Sequence, residues 1–93
     1  MKYDIQVTAT YKKDYKKIIK RGKNPNKLKN IITMLASGEQ LDPKYRDHTL
    51  TDSKKFINCR ECHIEPDWLL VYKKNGKKLI LLLVETGSHS DLF

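Results

Sequence analysis

Six consecutive apolar residues, Leu79-Ile80-Leu81-Leu82-Leu83-Val84, do most to limit what this chain can become. A strand with one wet face alternates apolar and polar side chains, and this run does not. It is also far too short to span a bilayer. It therefore reads as a strand inside a sheet, over about residues 78–86, covered on more than one side. In a chain of 93 residues this implies a single domain, 1–93, organised around one sheet. A domain of this size buries only about 60–65% of its unfolded surface, so a site is expected in a shallow groove rather than a closed cavity.

The remaining elements can be placed around that strand. Asn75-Gly76 just before it is a two-residue hairpin signal, because both residue types tolerate positive φ. It predicts a partner strand over 68–73. Glu65-Pro66-Asp67 then turns back to a further strand over 56–64, with Pro66 sitting where no ladder amide is lost. Residues 3–8 alternate and predict a first strand. Tyr11, Tyr15, Ile18 and Ile19 recur at helical spacing, predicting a helix over about 10–21 that Gly22 stops. Asn24-Pro25 supplies the N-cap and first turn of a second helix, with Leu28, Ile31, Ile32 and Leu35 as its stripe and Gly38 as its end. Residues 39–55 read as a loop. The expected fold is α+β, in the order β-α-α-β-β-β, with two N-terminal helices packed on an antiparallel sheet.

Charge is concentrated at one end. Residues 1–50 carry 12 Lys/Arg against 5 Asp/Glu, and residues 51–93 carry 7 against 6, so nearly all of the net +8 belongs to the first half. Lys12, Lys13, Lys16, Lys17, Lys20 and Arg21 lie on the first predicted helix, between its apolar positions. Such a surface attracts polyanions through counterion release, and it predicts a nucleic acid or an acidic protein segment as partner. No signal peptide or membrane anchor can be read, so the expected compartment is the cytoplasm and the two cysteines are expected as free thiols.

All three histidines fall in the second half of the sequence, each among polar neighbours. Cys59-Arg60-Glu61-Cys62-His63 matches the pattern for covalent haem attachment, but that chemistry needs an exported chain, and strand parity sends the two cysteines to opposite faces. A zinc site completed by the histidines is a weak reading, since no two of them share a helix at i, i+4. No metal or other cofactor is expected. The same parity puts Glu61 and His63 on one face, with Asp67 leaving the adjacent turn. Trp68 reads equally as a core anchor or as a platform for a base. His89 and the aromatic Phe93 lie in a stretch that could be a loose tail, although an exposed aromatic can stack on an unpaired base.

Three ordered motifs then resemble a known family. They are Tyr45-Arg46-Asp47-His48, the run from Arg60 through Glu65-Pro66-Asp67-Trp68 to Tyr72, and Thr86-Gly87-Ser88-His89-Ser90-Asp91-Leu92-Phe93. Together with the lysine-rich first helix they resemble the YafQ branch of the RelE toxin superfamily along the whole chain. The resemblance implies a fold like that of microbial ribonucleases and a toxin of a bacterial type II toxin–antitoxin pair. It implies entry into the 30S ribosomal A site and metal-free cutting of mRNA there by the ribose 2′-hydroxyl. It implies an acidic cognate antitoxin whose DNA-binding part regulates the operon. His48, His63, Asp67 and His89 match the family's catalytic positions, and Trp68 and Phe93 match residues that shape the site.

In-line transfer needs a base, an acid and positive charge near the phosphate. His89 is the expected acid. Asp67 is the first choice of base and His48 its rival, while His63, helped by Arg60, is expected to steady the phosphate. The sequence departs from the family in three places. Glu85 stands where an arginine is usual, His48-Thr49-Leu50 replaces His-Pro-Leu, and the loop before Arg60 is longer and lacks glycines. Glu85 keeps a second class of function open, a non-catalytic basic module that binds RNA or antitoxin. A related fold that poisons gyrase is disfavoured, because the acid/base cluster would have no task.

Overall fold

The helix stops and starts read from the sequence are the ones the chain uses. The computed structural model describes residues 1–51 and 53–93; Asp52, within the loop expected over 39–55, lies outside the described residues. Strand β1 (Asp4–Val7) leads into helix α1 (Ala9–Lys20), whose N-cap Thr8 accepts a hydrogen bond from the Tyr11 amide. The Thr8 hydroxyl also donates to the Val84 carbonyl at 2.6 Å, so the residue that opens the helix ties it to the sheet. Gly22 takes φ 81°, and the amides of Gly22 and Lys23 close back on Ile19 and Ile18 to end the helix. Asn24 caps helix α2 (Pro25–Ala36) through its side-chain oxygen, with Pro25 in the first turn.

The sheet has five strands in the order β1-β5-β4-β3-β2, with β2 (His48–Thr49), β3 (Arg60–Glu65), β4 (Trp68–Asn75) and β5 (Ile80–Gly87). Three neighbouring pairs are antiparallel, but β1 runs parallel to β5, so the sheet is mixed rather than antiparallel throughout. The two-residue hairpin expected at Asn75-Gly76 is replaced by a four-residue connection, with Asn75 paired to Ile80 and Leu79 at φ 55°. There the Asn75 side chain accepts from the Lys77 and Lys78 amides and takes over the turn.

The strand expected inside the sheet is an interior one, flanked by β1 and β4, but the middle strand is β4. Residues 68–72 of β4 are buried on both faces, whereas β5 alternates, with Leu81 and Leu83 buried and Ile80 and Leu82 half-buried. Coverage explains this. Both long helices pack on one face, joining Ile18, Leu28, Ile31 and Leu35 to Cys62, Trp68, Leu70, Tyr72, Leu81 and Leu83 in the main core. The other face carries a smaller cluster of Phe56, Cys59, Leu69, Val71 and Leu92, supplied by the loop before β3 and by a short helix α3 (His89–Leu92). α1 is only partly seated: Tyr11 and Ile18 are buried, while Tyr15 and Ile19, expected in its apolar stripe, are exposed.

β3 begins four residues later than expected, because residues 54–58 form bends and turns with Asn58 at φ 60°. The loop over 39–55 contains a 3₁₀ turn (Pro43–Tyr45) and the two-residue β2, which brings His48 to the sheet edge. No helix among the described residues is long and apolar enough to cross a membrane.

Candidate active site

Strand pairing assembles the site from segments far apart in the chain. His48 pairs with Glu61, Glu61 with Val71, and Val71 with Glu85, which lays one row across β2, β3, β4 and β5 on the sparsely covered face. His63 lies one row nearer the β3–β4 turn. Its ring centroid is 6.3 Å from that of His48 and 5.7 Å from that of His89, so the three imidazoles form a line with His63 in the middle.

Each outer imidazole is held through Nδ1. His48 Nδ1 lies 2.7 Å from the Arg46 carbonyl, which is aimed there by the left-handed backbone of Arg46 at φ 52°. His89 Nδ1 lies 2.7 Å from Asp67 Oδ1, and the same oxygen accepts the His89 amide at 2.9 Å. These two bonds hold the Asp67 carboxyl below the usual carboxylate range. A carbonyl facing Nδ1 requires the proton on that nitrogen and leaves Nε2 of His48 as an acceptor. Glu61, 5% exposed, sits between rings, with Oε1 3.3 Å from His63 Nε2 and 3.7 Å from His48 Nε2.

The sequence expectations divide here. His48, His63, Glu61, Asp67 and His89 are brought together. Arg60 is not: it shares the helix-covered face with Tyr72 and Cys62. Its guanidinium bonds Asp47 and Thr49, and the Tyr72 hydroxyl donates to the same Asp47. Arg60 therefore braces the residue before His48 instead of reaching a phosphate beside His63. Trp68 is 0% exposed, and its indole N–H donates to the Thr86 hydroxyl at 3.0 Å; burial removes the base-platform reading and leaves the core anchor. Phe93 is 60% exposed and meets Phe56 edge-on, with centroids 5.5 Å apart.

The stretch expected as a loose tail is a capped helical turn. Ser88 Oγ accepts from the Asp91 amide and Asp91 Oδ2 accepts from the Ser88 amide. The Ser-x-x-Asp spacing was the signal for it in the sequence. Both cysteines are free and buried on opposite faces, and burial pushes the Cys62 thiol up to about 12, which leaves it inert. Glu85 is buried near Lys55, whose Nζ lies 3.2 Å from its Oε2. Lys12, Lys13, Lys16, Lys17, Lys20 and Arg21 are all exposed on or just past α1. Among the described residues, no group of three His, Cys, Asp or Glu side chains is close enough to hold a metal ion.

Residues 3–93 match the family described as the bacterial toxin of type II toxin–antitoxin system, YafQ. The chain belongs to the YafQ toxin family. It is 42% identical to the mRNA interferase toxin YafQ of Escherichia coli K12 over 91 residues, which cover 97% of this chain and 95% of that one. YafQ in the E. coli DinJ–YafQ complex has the same fold, with a TM-score of 0.87, 38% identity and 98% of each chain covered. A metal-bound toxin from Helicobacter pylori matches with a TM-score of 0.90 and 38% identity over 98% of this chain and 99% of that one. Membership of the YafQ family accounts for the order of the strands.

Proposed function

We propose that this protein is an mRNA endoribonuclease toxin that enters the ribosomal A site and cuts message by metal-independent acid/base chemistry. The observation that carries the reading is the line of three imidazoles on one open face, with both outer rings anchored at Nδ1. The YafQ of E. coli carries the name mRNA interferase, and the imidazole cluster here supplies the acid and base that such an activity needs.

His48 Nε2 takes the 2′-hydroxyl proton as the 2′-oxygen bonds to phosphorus. The bond from phosphorus to the 5′-oxygen breaks, and His89 Nε2 gives that oxygen its proton. The products are a 2′,3′-cyclic phosphate and a 5′-hydroxyl. Asp67 is the group that orients His89, since one of its oxygens takes both the ring and the amide of that residue. His63, backed by Glu61, faces the phosphate between acid and base. Phe93 offers an exposed ring to a base beside the cut.

The lysines of α1 supply the docking charge, for ribosomal RNA in one state and for an acidic antitoxin segment in another. The E. coli relative forms a toxin–antitoxin complex with DinJ. The alternative of a non-catalytic module rests on Glu85, and Lys55 alongside it offsets that charge.

Cleavage on programmed ribosomes tests the reading. His48→Gln and His89→Gln should each slow cutting by about 10²–10⁴. Activity should persist in EDTA. Wild-type rates in either variant, or loss on chelation restored by added metal, would overturn the assignment.

A further inference from the structure

α3 is four residues long, too short to hold itself, yet it carries His89 in its first position. What fixes it comes from 70 residues earlier in the chain. Arg21, the residue that closes α1, sends a two-pronged guanidinium contact to Asp91: Nη1 to Oδ2 at 2.5 Å and Nη2 to Oδ1 at 3.1 Å. The same Oδ2 accepts the Ser88 amide that starts α3. Gly87 makes room for the carboxylate, since a Cβ there would lie 2.9 Å from Asp91 Oδ2 and 3.0 Å from Asp91 Cβ. The turn is thus pinned at both ends, by Asp67 on His89 and by Arg21 on Asp91.

We infer that Arg21 is a positioning residue for RNA cleavage, acting through Asp91 to fix the turn that presents His89. This separates Arg21 from the lysines of α1, with which the sequence grouped it as a docking cation. The inference rests on His89 being the general acid. Arg21 also holds the Asp91 carboxyl far below the usual range, in keeping with a persistent contact. Exposed pairs of this kind contribute little to global stability, so the consequence is to be read in rate rather than in melting temperature.

The test compares Arg21→Gln, Asp91→Asn, the double variant, Arg21→Lys and His89→Gln in cleavage of programmed ribosomes, with thermal unfolding measured alongside. Arg21→Gln and Asp91→Asn should each lower kcat by about 10- to 100-fold, the cost of a small misplacement of a catalytic group. KM should stay within about twofold, as it would not if Arg21 were a docking cation. The double variant should be no slower than the slower single one. Arg21→Lys should recover part of the rate, because an ammonium keeps the charge and loses the fork. Wild-type kcat in Arg21→Gln beside a slow His89→Gln overturns the positioning role, as does a loss confined to KM or losses that multiply in the double variant. A wild-type rate in His89→Gln instead removes the acid itself, and the inference falls with it.

Discussion

The two faces of the sheet are made by the same strands and do opposite things. Towards α1 and α2, polar groups within the core are paired: Trp68 with Thr86, and Tyr72 with Asp47 beside Arg60. On the open face, His48, Glu61, His63 and Glu85 stand over a thin cover of Phe56, Val71 and Leu92. Alternation along β3 allows this, since Cys62 and Ile64 join the core while Glu61 and His63 face the proposed site. Stability and reactivity are thereby separable by residue parity, one position apart on one strand.

That separation can be broken deliberately. The largest effect is expected at Trp68. Trp68→Ala should cost about 3–5 kcal/mol in urea unfolding, from lost packing and an orphaned Thr86 partner. His63→Gln on the other face should cut the cleavage rate by about 10²-fold or more while leaving the urea midpoint nearly unchanged. A large stability loss in His63→Gln would show that the faces are not independent.

Acid gives a finer test. The Asp67 carboxyl is depressed by the His89 amide and ring, and a depressed carboxyl contributes stability above its unfolded value that is lost as pH falls through its folded value. The Asp67 hold on α3 should therefore be full at neutral pH and begin to weaken only below about pH 4, the ordinary Asp value, as pH falls towards the depressed one. NMR shifts of the His89 amide would follow it, and release near pH 6 would break the account. The smallest effect is expected at Glu65, which bonds Lys23 and Lys27 at the surface. Glu65→Gln should change stability by no more than about 1 kcal/mol.

Local chemistry was legible in the sequence and long-range pairing was not. Gly22, Asn24-Pro25 and Gly38 marked the helix ends because caps depend on neighbours a few residues away. The parallel seat of β1 beside β5 depends on residues 76 positions apart and left no local signal. Parity placed Glu61 with His63, but only the family resemblance brought in His48 and His89, which reach His63 across strands and across a turn. Trp68 stayed ambiguous until Thr86 was seen to accept its N–H. The α3 capping box was written in Ser88 and Asp91, yet a turn that short is also held by Asp67 and Arg21, partners invisible in the local sequence.

The seat of β1 has a consequence for when the imidazole line can form. Its hydrogen-bonding partner is residues 80–83 of β5, so the first strand made has no place in a sheet until those residues have been synthesised. Contacts of such sequence separation form slowly and late. The imidazole line waits on the same event, because His89 follows directly on β5. In a growing chain the basic helices are thus made well before the imidazole line can assemble. On the function proposed above, an antitoxin that binds those helices would meet them before there was any enzyme to restrain.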